Sequence, residues 1–364
     1  MHKGHKRLTM VLTGLLIAVV VAACGSSNSS SGSSGGSGAS TSSSSGGSSS
    51  GGSIAIATPA KINDYGWNAQ GYDAAKAAAA ADGMKVNLVQ DIGYNNTDTV
   101  LRQLALKHPT LLIAHASGYD TSAQRIAQQY KVPTITYDIP TMKSPGTLSN
   151  ITTSSQQGAY LAGILAAEMT KTNKIGVIIS ASDTNWYEMT GGFAAGAHSV
   201  KPSLPIVFGQ IGSASYDDAA GGKRVATSVI ASGADVIFAM GDDASFGYLD
   251  AIGNAHPGHK VWYIGDIGDM TPIDTNHVLL SSVMWNFTGA FKQALADIKD
   301  HTFGTHGYNL TLANGGISLL HSKYIPASVW SKIQKAQTGI ENGSIKVPDT
   351  TTASTAKAEL QGKG

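Results

Sequence analysis

Short, uninterrupted apolar runs alternate with helical segments twice over along this chain, and that pattern leaves few folds open. Ile54-Ala55-Ile56-Ala57 reads as a strand and Ala69 to Ala81 as an alanine-rich helix. Lys85 to Val89 is the next strand, and Thr97 to Lys107 a helix with Thr97 as its cap. Leu111 to Ala114 and Val132 to Thr136 read as strands around a helix from Thr121 to Tyr130. A second series begins near Thr153: a helix from Gln157 to Thr170, a strand from Lys174 to Ile179, a helix from Met189 to Val200, a strand at Ile206-Val207-Phe208 and a helix from Ala219 to Ala231. Ala234 to Ala239 and Val261 to Ile264 are strands around a helix from Ser245 to Gly253. Continuous apolar strands separated by helices call for parallel sheets covered on both faces.

The fold class expected is therefore α/β, with two doubly wound parallel-sheet lobes, a hinge and an interlobe cleft, as in periplasmic-binding-protein-like architectures. In such sheets ligands bind beyond the carboxyl ends of the strands, and two facing lobes bring those ends to one cleft that closes by a hinge. Lobe I is assigned to residues 54–152 and lobe II to 153–277. A return segment, 278–348, is expected to pack mainly on lobe I, with a polar tail at 349–364.

The N-terminus carries a different signal. Lys3, Lys6 and Arg7 precede an apolar stretch from Leu8 to Val21, which ends in Val21-Ala22-Ala23-Cys24. A positive start, a short apolar centre and small residues at the end describe a secretory signal over residues 1–23. With a thiol at the cut the pattern resembles a lipoprotein lipobox, so Cys24 is expected to be lipidated and to become the new N-terminus. A plain signal peptide or an N-terminal membrane helix is the alternative, although the stretch is short of the roughly 20 apolar residues that a span needs. Residues 25–53 are almost wholly serine and glycine. Such a segment buries no apolar surface and reads as a disordered linker spanning on the order of 30 Å.

A lone cysteine supports no disulfide framework, so the fold must stand on its core. Losing Lys3, Lys6 and Arg7 from the 25 basic residues leaves 22 against 24 acidic, a formal charge near −2. That is no footprint for nucleic acid or an anionic membrane surface. The expected membrane attachment is the lipid alone, on the extracytoplasmic face of the cell membrane, and the expected state is a monomer.

Several segments resemble the basic membrane protein (BMP, PnrA-like) family of ABC-transporter substrate-binding lipoproteins. They are Asp64-Tyr65-Gly66-Trp67-Asn68, the run from Gly158 to Lys171 followed by Lys174-Ile175-Gly176-Val177, Gly192-Phe193-Ala194-Ala195-Gly196-Ala197, Gly233 to Ile237, and Ile340 to Pro348. The resemblance covers nearly everything from Ile54 to Pro348. It implies a receptor that captures a purine nucleoside and hands it to permease and ATPase subunits, with no catalysis and no cofactor.

The turn after the first strand places Asp64, Trp67 and Asn68 at its carboxyl edge. A planar heterocycle stacked on Trp67 gains about 1 kcal/mol beyond area burial, and Asp64 and Asn68 offer acceptors and donors. Trp67 could instead pack in the core, with Asp64 as a turn residue and cap. The loop after the third strand faces the ligand in the family, which implies Ser117 and Asp120 as contacts; Asp120 could equally cap the helix that follows. In lobe II, Ser182 to Trp186 follows a strand, which makes Trp186 a candidate contact. Tyr216-Asp217-Asp218 resembles the family's Phe-Ala-Asp, whose aromatic ring covers the other face of the base. Gly241 and Asp242 end a further strand and should line the cleft.

Two departures bear on the ligand. Where the family's nucleoside receptors place a ribose-binding aspartate, this chain has Ile267, with Asp266 adjacent; where they place a ribose-binding lysine, it has Trp285. A free base or another heterocycle is then open as the ligand, and Trp285 is a candidate third aromatic wall. A surface enzyme that processes nucleosides is the rival class, but the body has no His-Glu-x-x-His, phosphate loop or nucleophile elbow. His256, His259, His301 and His306 lie in loops without a third ligand nearby, so no metal site is expected. A ligand sensor signalling to a membrane partner would use the same cleft.

Overall fold

The computed structural model describes residues 51–363. The signal stretch, Cys24 and nearly all of the serine/glycine linker lie outside them.

Two six-stranded sheets form the frame. In the first, β1 (Ser53–Ala57) is paired on one side with β2 (Lys85–Val89) and on the other with β3 (Leu111–Ala114), and the sheet continues through β4 (Thr134–Tyr137), β5 (Leu148–Thr153) and β11 (Tyr308–Leu310), all parallel. In the second, β6 (Ile175–Ile179) lies between β7 (Ile206–Gln210) and β8 (Val236–Met240), and the sheet continues through β9 (Trp262–Ile267) and β10 (Leu279–Trp285). It ends in β12 (Ile317–Leu319), which runs antiparallel to β10. Both sheets thus have the same doubly wound order. The central strands β3, β6 and β8 are buried along their whole length, which is why their sequences are uniformly apolar rather than alternating.

Ten helices cover the sheets among the described residues: α1 (Trp67–Ala81), α2 (Thr97–Ala105), α3 (Asp120–Tyr130), α4 (Ser155–Met169), α5 (Thr184–Val200), α6 (Ala219–Ala231), α7 (Ala244–Gly253), α8 (Thr288–Lys299), α9 (Ala327–Glu341) and α10 (Ala353–Leu360). Thr97 does not cap α2 through its side chain; Asn96 holds the cap position, and the Thr97 hydroxyl donates to the Tyr94 carbonyl at 3.1 Å. Helix α5 starts five residues earlier than its apolar pattern suggests, because the Asp183 side chain accepts the Asn185 N–H at 2.9 Å and so caps it. That early start puts Trp186 on its first turn.

The return segment departs from expectation. Residues 278–348 do not pack mainly on lobe I. Leu279 to Val283 is buried throughout, Ser281 and Ser282 included, and β10 extends the second sheet beside β9; β12 and α9 follow it onto lobe II. Only α8 and β11 return to lobe I, against α1 and β5. The chain therefore crosses between sheets at 153–155, 285–288 and 310–317. These crossings are tied together: the Ser154 N–H donates to the Leu310 carbonyl and the Asn286 N–H to the Gly316 carbonyl, each at 2.8 Å. The polar tail is also ordered. Thr352 and Thr355 form a reciprocal cap for α10, which lies on α5, and the buried Thr350 hydroxyl donates to the Tyr187 carbonyl at 2.7 Å.

Candidate functional site

In both sheets the strand order reverses beside the first strand, between β1 and β3 and between β6 and β8. Loops leaving such neighbours part in opposite directions and open a crevice at the carboxyl edge. The two crevices face one cavity of about 330 Å³. Trp67 follows β1, Ser117 follows β3 and Asp138 follows β4; from the other lobe, Asp183, Asn185 and Trp186 follow β6, Asp242 follows β8, and Ile267 and Trp285 end β9 and β10.

Of the residues singled out from sequence, Trp67, Ser117, Trp186, Tyr216, Asp242 and Trp285 line this cavity. Asp64, Asn68, Asp120, Gly241 and Asp266 do not. Asp64 is buried and holds the start of α1: its carboxylate accepts the Asn68 and Ala69 N–H groups at 2.8 and 2.9 Å and the Asn68 side-chain amide at 2.8 Å. Asn68 is fully buried in the same arrangement. Asp120 opens α3, and burial raises its carboxyl to about 7. The Gly241 N–H points to Asp266, 3.4 Å from its Oδ1, behind the cavity wall. Pro59, Tyr94, Asp138, Asp183, Asn185, the small residues Ala116, Gly118 and Ala214, and Ile267 complete the lining.

The aromatic walls are held from behind. Trp67 stacks on His115 with ring centroids 4.4 Å apart and an 18° interplanar angle, and its Nε1–H donates to the His115 carbonyl at 2.9 Å. His115 in turn lies 2.9 Å from the Trp67 carbonyl through Nε2 and 2.7 Å from the Tyr137 hydroxyl through Nδ1. A carbonyl can only accept, so Nε2 carries the proton and Nδ1 accepts from Tyr137. Burial lowers the imidazole to about 4, so the ring beneath Trp67 is neutral at physiological pH. Trp285 and Phe287 meet Trp67 edge-on at 6.0 and 5.4 Å. In lobe II, Trp186 and Tyr216 lie 4.9 Å apart, tilted by 46°. One face of Trp67 is therefore taken by His115, leaving the other for the cavity. Tyr94 stands half exposed at the mouth, edge-on to Tyr119 at 5.6 Å.

The charges of the lining are all of one sign. Asp138 is hydrogen-bonded by the Ser117 hydroxyl, and burial, with the Asp183 carboxylate adding, raises it to about 6. Burial also raises Asp183, despite the Tyr216 hydroxyl donating to it at 3.1 Å. Asp242 is held well above the carboxylate range by burial and then by the carboxylates of Asp64, Asp217, Asp266 and Asp243. Behind it, burial raises Asp266 to about 8, and its Oδ2 has no partner among the described residues. At the edge of the cleft the lobes touch backbone to backbone: a Cβ at Gly268, after β9, would overlap the carbonyl of Tyr65 in lobe I.

The model of the family described as ABC transporter substrate-binding protein PnrA-like matches residues 52–351. The chain is 31% identical over 222 residues to the ABC transporter nucleoside-binding protein BmpA of Lactococcus lactis subsp. cremoris, a match covering 57% of this chain and 62% of that protein. It is 27% identical over 313 residues to the CD4+ T-cell-stimulating antigen of Listeria monocytogenes, covering 79% and 80% of the two chains. A solute-binding protein of an ABC transporter system from Conexibacter woesei superposes with a TM-score of 0.70 at 21% identity, over 82% of this chain and 99% of that one. The two-lobed, parallel-sheet fold is thus that of solute-binding proteins.

Proposed function

This chain belongs to the PnrA-like family of ABC transporter substrate-binding proteins, and we propose that its cleft captures a purine nucleoside or a related planar heterocycle for delivery to a permease and its ATPase. The observation that carries this reading is the convergence of Trp67, Tyr94, Trp186, Tyr216 and Trp285 on one cavity from both lobes. Each stacked base–aromatic contact contributes roughly 1–3 kcal/mol, and contacts drawn from two lobes favour the closed state over the open one. Ser117, Asn185 and the aspartates supply the edge contacts. In this reading the protein binds and releases its ligand unchanged.

A calorimetric screen of nucleosides and free bases against the folded protein tests this. At least one purine nucleoside or base should give saturable heat together with a change in tryptophan emission. Silence across that set, with tight binding of a solute that lacks a planar ring, would overturn the ligand assignment.

We further propose that Cys24 is lipidated and tethers the receptor to the extracytoplasmic face of the membrane. The relevant chemistry is a single thiol. Cys24→Ser should move the protein from the membrane fraction to the medium or remain unprocessed at residue 23, as read by fractionation and intact mass. An unchanged processed mass and membrane fraction would refute the lipid anchor. Among the described residues no helix is long and apolar enough to cross a membrane. Tethering raises the effective concentration of receptor at a membrane transporter.

A further inference from the structure

We propose that the cleft selects a positively charged ligand: a planar heterocycle whose ring carries a cationic nitrogen, held face-on by the aromatic walls and edge-on by Asp138, Asp183 and Asp242. This rests on the preceding reading of the cavity as a heterocycle site, and it names the charge that such a ligand carries.

Two observations carry it. The cavity is lined by three carboxyl groups, drawn from the ends of β4, β6 and β8, and by no lysine, arginine or histidine. The cationic side chains of the described residues lie elsewhere, and the histidine closest to the walls, His115, is the buried ring behind Trp67. Second, Asp138 and Asp183 have protein donors in Ser117 and Tyr216, whereas the Asp242 carboxyl has no donor among the described residues, and the carboxyl groups of Asp64, Asp217, Asp266 and Asp243 add to burial in opposing its charge. An enclosed carboxyl group without a donor is costly to ionise, and a cation beside it removes that cost.

The aromatic walls suit the same ligand. A cation over an indole or phenol face is attracted by the ring quadrupole, more strongly where water is excluded. A phosphate-bearing ligand would place anionic oxygens against three carboxyl groups and is disfavoured.

The test compares three probes on the full folded chain by calorimetry: adenosine, 1-methyladenosine, which is cationic at neutral pH, and 1-methylinosine, which carries the same methyl group without the charge. 1-Methyladenosine should bind about tenfold or more tightly than either neutral nucleoside. Asp242→Asn should remove most of that preference, with Asp138→Asn as a second variant and thermal melts confirming that each is folded. If a neutral nucleoside binds and 1-methyladenosine binds no better, the charge selectivity is wrong while the nucleoside reading stands. If the preference exists but survives both variants, these carboxyl groups are not its source. If none of the three binds while a neutral base or nucleoside of the wider screen does, the charge selectivity is wrong and the heterocycle reading stands; silence across the wider screen as well, with tight binding of a solute that lacks a planar ring, overturns both.

Discussion

Gly196→Val and Gly163→Val should each fail to give a stably folded protein, or lower its unfolding free energy by about 3 kcal/mol or more. Helices α4 and α5 cross with backbone against backbone. A Cβ at Gly163 would overlap the carbonyl oxygen of Phe193, one at Gly196 the carbonyl of Tyr160, and one at Gly192 the carbonyl of Gln156. Overpacking against a side chain costs 1–3 kcal/mol when a rotamer can yield, but here the obstacles are main-chain atoms and the helices themselves must part. Their separation would open the buried layer of Tyr160, Leu161, Leu165, Phe193 and Ala197, all in one core cluster. Gly289→Ala on α8 is the contrast. Nothing lies within 4 Å of a Cβ there, so removing a helical glycine should stabilise by about 0.5–1 kcal/mol. Urea unfolding of the three variants reads the difference, and equal stability of Gly196→Val and the parent would refute the close-crossing account.

Those glycines show what was legible in the sequence and in what sense. Gly192 to Ala197 stands out as a recognisable segment, yet its prominence reflects helix packing rather than ligand contact. The doubly wound fold was readable because buried parallel strands need uninterrupted apolar residues, as β1, β3, β6 and β8 have. Strand β5 was not: Leu148-Ser149-Asn150-Ile151-Thr152-Thr153 is too polar to be read as buried, and several of its polar groups find partners far away in sequence, such as the His306 carbonyl for the Ser149 hydroxyl. The rule that ligands sit beyond strand carboxyl ends pointed to Trp67, Trp186 and Asp242, and the family resemblance to Ser117; all four line the cavity. Applied equally to β4 it would have found Asp138. Tyr94 carries no such signal, since it belongs to a long loop after the edge strand β2, and only the tertiary fold swings it over the mouth. Asp64 and Asn68 were attractive for their position and chemistry, but a carboxylate two residues before a glycine that begins a helix is well placed to accept that helix's free N–H groups, and it does so here.

Trp67→Ala should lower affinity for the bound heterocycle by about 10- to 100-fold, corresponding to the roughly 1–3 kcal/mol of one base–aromatic stack. The size follows from how firmly the ring is held. Its rear face lies on neutral His115, its Nε1–H is fixed by the His115 carbonyl, and Tyr137, Trp285 and Phe287 meet it edge-on. The indole is thus already in place when ligand arrives, and little side-chain entropy is lost on binding. Trp67→Phe keeps a ring but loses the Nε1–H, so it should fall between alanine and the parent. His115→Leu keeps volume while removing both hydrogen bonds from the imidazole; its effect should come through a looser indole, seen as a broadened or red-shifted tryptophan emission before any ligand is added. Calorimetry with the best ligand from the nucleoside screen, alongside thermal melts, separates lost binding from lost folding. A folded Trp67→Ala that binds as tightly as the parent would remove Trp67 from the site and leave Trp186, Tyr216 and Trp285 to hold the ligand from lobe II. In that case binding would not draw on the first lobe's aromatic wall, and ligand stacking on Trp67 could no longer be what couples capture to closure.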